Sequence, residues 1–384
     1  MTEAGFYCEP GGFHIDPWRP VERAVITHAH GDHARGGSAA YLGTAEGLPL
    51  LRARLDPGAH IETMAYGEHR RIGAVDISLH PAGHVLGSAQ LRIAHAAGVA
   101  VVSGDYKLAP DPTCPPFEPV PCDLFVSEST FGLPVYRWDD PRDTMRAILA
   151  WWTANRAQGR ASILFAYALG KAQRILCGLA AEAQPLPGPI YTHGAIERIN
   201  AAYREARVSL PPTLRVADAP AGTRWADALV VAPPSARGSR WMHRFDPSST
   251  AFASGWMALR GTRRRASLDR GFALSDHADW PGLNEAIDAT GASRVLVTHG
   301  YRDELTQWLR GLGRDAEPVE TRFEGETVEV AAVAGDAPED VAGEATGNAL
   351  EHSSGDFADA RGAASGGPAS DAPGAPPDAP ATAS

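Results

Sequence analysis

Residues 28–33, HAHGDH, constrain this chain more than any other segment. They place three imidazoles and a carboxylate directly after the apolar run 24–27, AVIT, which is typical of a buried strand. Alternation in an extended segment puts His28 and His30 on one side, whereas Asp32 and His33 follow a turn. Polar groups that lose their water at the end of a buried strand need a partner that replaces it. We therefore predict a site for two divalent cations, zinc first, with manganese or iron as alternatives.

Three further candidate ligands occur later in the chain, each beside a segment typical of a strand. His84 lies in the turn before the predicted strand 89–93, Asp105 ends the run 99–105, and His299 lies near the end of the run 295–300. Loops at strand ends present chemical groups from a rigid support. The sequence thus predicts one site that is assembled from several strand ends.

These segments together resemble the metallo-β-lactamase superfamily of binuclear hydrolases. The resemblance rests on the HxHxDH motif, Gly83-His84, Gly104-Asp105 and a preceding Asp16. Three later segments are similar to motifs A, B and C of its β-CASP nuclease group: residues 127–132, SESTFG; 274–279, LSDHAD; and 297–300, VTHG. The short length, the HAHGDH form and the stretch FAYALGKAQ at residues 165–173 resemble the bacterial DNA-ligase-associated exonucleases of the DNA damage response. The resemblance covers residues 13–330.

The resemblance implies a role for each candidate residue. It implies two metal sites, one held by His28, His30 and His84 and the other by Asp32, His33 and His299, with Asp105 bridging them. A pair of close dications activates water as a nucleophile near neutral pH. The implied catalytic groups are His277 as general acid, Glu128 holding its ring, and Asp32. Asp16 would orient a ligand imidazole, and an ordinary Asp-Pro turn is the alternative.

The implied fold is α/β, an αββα metallo-β-lactamase sandwich with an inserted β-CASP α/β cap domain. A helical period over 143–152, predicted strands at 162–167, 187–192 and 228–232, and a predicted helix at 170–179 indicate a parallel sheet with crossover helices. We expect the metallo-β-lactamase domain in 1–132 and 271–334, and the cap in 133–270.

The segment 335–384 differs from the rest in composition. It is rich in Ala, Gly, Pro and Ser, and it carries nine acidic residues and one arginine, most of the net charge of −11. A segment with so few large apolar side chains cannot offset the entropy of ordering, so we expect a disordered acidic tail. The remaining residues are close to neutral, which is compatible with a polyanionic substrate.

Arginines of the inserted segment are candidates for phosphate contacts, because the planar guanidinium suits phosphate oxygens. They are Arg237, Arg240, Arg260, Arg263, Arg264 and Arg265. Solvated surface charge is the alternative for each of them. Three more residues each have two interpretations. Trp256 stacks on a base or packs in the core. Lys171 contacts phosphate or begins a helix, and His193 mimics motif C or begins a helix.

These observations favour a metal-dependent nucleic-acid phosphodiesterase, first a DNA exonuclease of 5′ polarity acting in DNA repair. His299 in motif C is usual in RNA-cleaving members, so an RNase of the RNase J or 3′-end-processing type is one alternative. A small-ester metallohydrolase is another, but it would need neither motifs A and B nor a domain-sized insertion. An inactive scaffolding relative would have lost ligands, and here every ligand is present.

The expected partners are a DNA or RNA substrate, an ATP-dependent DNA ligase and a helicase, the latter two as functional associations implied by the resemblance. No apolar run reaches 18 residues, and the opening residues, MTEAG, are neither basic nor hydrophobic. We therefore expect a cytoplasmic protein with no membrane partner.

Overall fold

The computed structural model of the protein describes residues 1–259 and 268–323. Within these ranges the chain is a mixed α/β protein with three β-sheets. The predicted tail at 335–384, residues 324–334 and the predicted phosphate-binding residues Arg260, Arg263, Arg264 and Arg265 lie outside the described residues.

The first sheet is built from short strands near the start of the chain, in the order β1-β2-β3-β4-β5. Strands β1 and β2 are antiparallel, and the other neighbours are parallel. Helix α1 (Leu48–Arg54) connects β4 to β5. The strands are β1 (Phe6–Cys8), β2 (Phe13–Ile15), β3 (Arg23–Val25), β4 (Ala40–Thr44) and β5 (Ile61–Met64).

The second sheet has seven strands in the order β18-β17-β10-β9-β8-β7-β6. Neighbours from β18 to β9 are parallel, and those from β9 to β6 are antiparallel. The strands are β6 (His69–Ile72), β7 (Val75–Pro81), β8 (Ala89–His95), β9 (Gly98–Val102), β10 (Leu124–Ser129), β17 (Arg294–Gly300) and β18 (Asp315–Pro318).

Alternation along the central strands gives the second sheet two apolar faces. On β10, Val126 packs with Phe13 and Val25 of the first sheet, so the two sheets share one core. The neighbouring Phe125 points to the opposite face, where it packs with residues such as Leu283 from helices α5 (Trp280–Thr290) and α6 (Arg302–Gly311). Each fully buried side chain of this size contributes about 1.5–3 kcal/mol to the free energy of folding.

The third sheet is formed within residues 161–273, and its six strands are all parallel. Their order is β13-β12-β14-β11-β15-β16. The strands are β11 (Ala161–Phe165), β12 (Ile190–Thr192), β13 (Leu214–Arg215), β14 (Leu229–Ala232), β15 (Ser248–Ser254) and β16 (Arg270–Ala273). The helices are α2 (Pro141–Ala157), α3 (Lys171–Glu182) and α4 (Gly194–Glu205). These elements include the strands and helices predicted for this segment.

No helix within residues 1–259 and 268–323 combines the length and the apolar character that crossing a bilayer would require.

The turn at residues 82–88, which carries His84, requires glycine at position 83. Gly83 has a φ of +73°, and a Cβ at this position would lie 2.2 Å from the carbonyl oxygen of Lys107 and 2.9 Å from the backbone nitrogen of Phe117. The Lys107 nitrogen also donates to the Ala82 carbonyl at 3.0 Å. The turn is therefore in close backbone contact with Lys107, two residues after Asp105.

Replacing Gly83 by alanine should lower the free energy of unfolding by about 1–3 kcal/mol, because both the left-handed backbone and the close approach oppose a side chain. Urea titration of the metal-free protein measures this. Gly58→Ala is the matched control, since a Cβ at Gly58 meets nothing within 4 Å. Equal stability of the two variants would contradict the prediction.

Candidate metal centre

The direction of the strands explains why the candidate ligands meet. Strands β9, β10 and β17 are parallel neighbours, and β7 runs the same way because both β7 and β9 are antiparallel to β8. Their carboxyl ends therefore lie at one edge of the second sheet. In the first sheet, β2 and β3 are also parallel, and they lead into Asp16 and the loop 28–33. The residues at the edge of the second sheet are His84 after β7, Asp105 after β9, Glu128 in β10 and His299 in β17.

A first ligand set consists of His28, His30, His84 and Asp105, whose ligand atoms lie within 4.8 Å of one another. Nδ1 of His30 is 3.1 Å from both Nε2 of His28 and Nε2 of His84. Oδ2 of Asp105 is 3.5 Å from Nε2 of His28 and 3.7 Å from Nε2 of His84. A tetrahedral zinc ion with bonds of about 2.0–2.1 Å to nitrogen separates its ligand atoms by about 3.3–3.4 Å. The four atoms are spaced as such a site requires.

The second nitrogen of each of these imidazoles is held by a neighbour. His30 Nε2 lies 3.2 Å from the Leu169 carbonyl, and His84 Nδ1 lies 2.7 Å from the Asp276 carbonyl. His28 Nδ1 lies 3.1 Å from Oγ1 of Thr27. Because carbonyl oxygens only accept, the two nitrogens facing them donate, and the nitrogens facing the ligand set carry lone pairs.

Burial also keeps these imidazoles in the neutral form that binds a metal. It lowers the pKa of His28 and of His84 well below the usual range, and neighbouring histidines add to the effect. Burial lowers the pKa of His30 as well. The three rings are therefore neutral near pH 7, which is the form that ligates a cation.

A second group of side chains surrounds the other side of Asp105. His299 Nε2 is 3.2 Å from Oδ1 of Asp105, and ligand atoms of Asp105, Glu128 and His299 lie within 4.8 Å of one another. His33 Nε2 is 3.6 Å from Oδ2 of Asp105 and 3.8 Å from Oδ2 of Asp32. The residues predicted for the second metal thus gather around Asp105, and Glu128, predicted only as the partner of His277, lies within the same reach.

The hydrogen bonding of these groups tests whether they fit a metal. Among the described residues, His33 Nε2 is a buried side-chain atom without a hydrogen-bond partner, and Asp105 Oδ1 and His299 Nε2 face each other at 3.2 Å without the geometry of a hydrogen bond. A buried polar atom without a partner costs about 1–3 kcal/mol. A cation bound between them would satisfy all three atoms. The residues present therefore fit divalent metal, and imidazole and carboxylate donors suit zinc or manganese.

Asp16 lies behind His33. Its Oδ2 accepts from His33 Nδ1 at 2.8 Å and from Thr27 Oγ1 at 2.6 Å, and its Oδ1 accepts from the Thr27 nitrogen at 2.8 Å. Asp16 is buried and has a φ of 43°, which a non-glycine residue rarely adopts. The structure therefore brings Asp16 to a predicted ligand imidazole, as its predicted role requires.

The carboxylates around His33 change its ionisation. Burial alone would lower the pKa of His33, but Asp105, Asp32 and Asp16 outweigh it and raise the pKa to about 10. His33 is thus protonated at neutral pH in the metal-free protein.

The predicted acid, His277, lies beside the first ligand set, with its ring centroid 4.6 Å from that of His84. Its Nδ1 is 2.9 Å from Oε2 and 3.1 Å from Oε1 of Glu128. Glu128 is itself fixed, because it also accepts hydrogen bonds from the Tyr106 nitrogen and the Thr130 hydroxyl. The His277–Glu128 pair is buried on both sides.

A group of buried charged side chains next to this pair was not predicted from the sequence. We call it the ion network; its members are Lys107, Asp111, Lys171, Arg174 and Asp276. Asp276 is buried, yet its pKa lies below the usual range because the charges of Lys171 and Arg174 overcome the effect of burial. The members come from three distant segments, so no spacing in the sequence indicates that they meet.

The remaining candidates lie elsewhere in the inserted segment. Arg237 is half-buried and Arg240 is exposed, both beyond the end of β14, and their phosphate contacts stay predictions. Trp256 packs against Phe131, with ring centroids 4.9 Å apart. Two residues lie at helix N-termini: Lys171 begins α3, and His193 caps α4 by accepting from the Ala195 nitrogen.

Sequence comparison finds relatives of this chain among curated proteins. A protein named "Probable DNA ligase" from Opitutus terrae is 31% identical over 314 residues, which cover 81% of this chain and 30% of the ligase. "Ribonuclease TTHA0252" from Thermus thermophilus is 28% identical and covers 47% of each chain. "Endoribonuclease ysh1" from Aspergillus fumigatus is 31% identical over 30% of this chain and 13% of its own length.

The chain thus spans less than half the length of these relatives. No family model matches it. A crystal structure of a protein of unknown function from Enterococcus faecalis superimposes with a TM-score of 0.52 at 12% identity, covering 79% of this chain and 80% of the other. At this identity the likeness concerns the fold alone.

Metal binding at pH 8 should release at least one proton, because His33 holds a proton there and must lose it to become a ligand, and water bound to the metal can lose another. His28 and His84 are already neutral and contribute none. Calorimetric titration of metal-free protein with Zn²⁺ in buffers of different ionisation enthalpy measures the release.

Asp16→Asn is the matched variant for this experiment. Removal of that carboxylate lowers the pKa of His33, so fewer protons should be released at the same pH. A binding heat that is independent of the buffer in the wild-type protein would contradict the assignment.

Proposed function

Because this chain is a homologue of the β-CASP nucleases of the metallo-β-lactamase superfamily, we propose that it is a metal-dependent phosphodiesterase acting on nucleic acid. In the finer form of the proposal it is a DNA exonuclease of 5′ polarity that acts in DNA repair with two zinc ions. The observation that carries the proposal is one buried carboxylate, Asp105, that faces two sets of ligands with His277 beside them.

The residues have distinct tasks in this proposal. His28, His30 and His84 hold one cation with Asp105, and Asp32, His33 and His299 hold the other with Asp105. Divalent cations bound there supply positive charge against the phosphate and lower the pKa of water. Asp16 keeps His33 in the orientation that ligation requires.

Proton transfer to the leaving group is assigned to His277. Glu128 accepts from Nδ1 of His277 and stabilises the protonated ring, so Nε2 is the atom that gives up the proton. Tyr106 and Thr130 hold the Glu128 carboxylate in place. His277 is thereby fixed next to His84, a ligand of the first cation in this proposal.

The domain organisation is part of the proposal. We assign the first two sheets to the metallo-β-lactamase sandwich, residues 1–132 and 271–334, and the third sheet to a β-CASP cap, residues 133–270. Support comes from the continuous run of strands β11 to β16 between Glu128 and His277. A cap of this kind leaves a cleft for a polymer, where Arg237, Arg240 and the cluster at residues 260–265 would contact phosphates.

The choice of DNA rests on one relative. The protein named as a probable DNA ligase matches 81% of this chain over 30% of its own length, which supports a nuclease that works beside strand joining. An association with an ATP-dependent DNA ligase and a helicase belongs to the same proposal. An RNase is the second candidate, favoured by His299 in motif C and by the two relatives named as ribonucleases.

One assay separates these candidates. Purified protein with Zn²⁺ or Mn²⁺ is incubated with single-stranded DNA and RNA of the same sequence, each labelled at the 5′ or the 3′ end. We expect DNA to be degraded from its 5′ end, with mononucleotides released first from the 5′ label. Preference for RNA supports the RNase, and hydrolysis of small esters without cleavage of either polymer overturns the proposal.

His277→Ala should retain its metal and lose about 10²- to 10⁴-fold in the rate of oligonucleotide cleavage, the usual contribution of a general acid. The loss should be smaller on a nitrophenyl phosphodiester, whose leaving group needs no proton. Single-turnover rates and metal analysis measure both effects. An equal loss on the two substrates would mean that His277 acts as a ligand or supports the structure.

A further inference from the structure

The ion network lies directly behind the segment that joins the two functional groups of the site. The segment 275–277 contributes the Asp276 carbonyl to His84 and the ring of His277 to Glu128. One short stretch of backbone therefore controls the orientation of both a predicted metal ligand and the predicted acid.

Arg174 holds this stretch at two consecutive residues. Its Nη1 donates to the carbonyl oxygen of Ser275 and lies 3.3 Å from Oδ1 of Asp276. Lys171, one helical turn earlier on α3, has its Nζ 3.5 Å from Oδ2 of Asp276. Both oxygens of the Asp276 carboxylate thus face a cation from α3.

The other side of Arg174 is tied to the loop that follows Asp105. Its Nε lies 3.3 Å from Oδ2 of Asp111, which also accepts from Lys107 Nζ at 3.0 Å. Oδ1 of Asp111 accepts from the nitrogen and the hydroxyl of Thr113. The planar guanidinium of Arg174 therefore joins the Asp111 loop to the segment 275–277, a geometry that the point charge of a lysine does not reproduce.

The burial of these groups argues for a role beyond ordinary surface pairing. Lys171 is 0% exposed, Arg174 5% and Asp276 2%. Buried ion pairs seldom add net stability over apolar side chains of the same volume, because desolvation offsets the attraction. Here the buried charges contact the backbone and side chain of residues 275 and 276 directly.

We propose that Arg174 is a positioning residue of the site: by holding Ser275 and Asp276 it keeps the Asp276 carbonyl on His84 and His277 beside the ligands. This rests on the proposed function, and it assigns to the inserted segment a part in assembling the centre. Loss of the guanidinium then weakens metal binding through His84 and proton transfer through His277 together.

The test replaces Arg174 by lysine, which keeps the buried charge and removes the planar fork. Arg146→Lys is the matched control, since Arg146 of α2 makes an exposed pair with Glu182 of α3, at 2.8 Å from Nε to Oε2. Metal-free proteins are titrated with Zn²⁺ against a chromogenic chelator. Cleavage rates are then compared on an oligonucleotide and on a nitrophenyl phosphodiester.

For Arg174→Lys we expect a folded protein whose Zn²⁺ affinity falls about 10- to 100-fold, the usual effect of losing a residue behind a metal ligand. The oligonucleotide rate should fall more than the nitrophenyl rate, because the acid is displaced as well. Arg146→Lys should match the wild-type protein in both measurements.

Asp276→Asn changes the other partner of the Arg174–Asp276 contact and retains the backbone carbonyl of residue 276. We expect the same direction of change, so this variant decides the question if Arg174→Lys does not fold. Wild-type Zn²⁺ affinity and wild-type substrate dependence in either folded variant overturn the proposal, even if its melting temperature is lower. The affinity measurement needs no nucleic acid, so it is independent of whether the proposed nuclease activity is found.

Discussion

The candidate metal centre is arranged around a single buried anion. The carboxylate of Asp105 has His28 and His84 toward one oxygen and His299 toward the other, with His33 also close by. Its pKa lies well below the usual range although it is buried, because the neighbouring imidazoles favour its charge. Four rings from three segments of the chain meet around this charge.

Much of this site could be predicted because its residues follow strands. Apolar runs that end in His, Asp or Gly-Asp indicate the buried strands of a sheet, and parallel neighbours bring those ends to one edge. Asp105, Glu128 and His299 meet for this reason, since β9, β10 and β17 lie side by side. Strands β11, β12 and β14 and helices α2 and α3 of the inserted segment were equally predictable, because each has a regular apolar pattern and the breaks between them contain glycine or proline. Strands β13, β15 and β16 were not predicted.

What the sequence could not reveal are contacts that depend on tertiary packing. Lys171 and Arg174 are charged residues of a helix, and nothing in their spacing distinguishes a solvated face from a buried one. Only the packing of α3 against the segment 275–277 turns them inward. The proximity of Glu128 to Asp105 and His299 was likewise hidden, because the motif pairs Glu128 with His277 alone.

The spread of ligands along the chain has a consequence for preparing the protein. Three histidines and a carboxylate lie within residues 28–33, so the unfolded chain already contains a local chelator, whereas His84, Asp105 and His299 join it only after the sheets have paired. Any metal that binds this local segment in the unfolded chain stabilises the unfolded chain as well and so reduces the gain in stability of the fold. Refolding in the presence of a chelator keeps metal away from the unfolded chain. Metal added afterwards then meets a folded protein in which all the ligands are together.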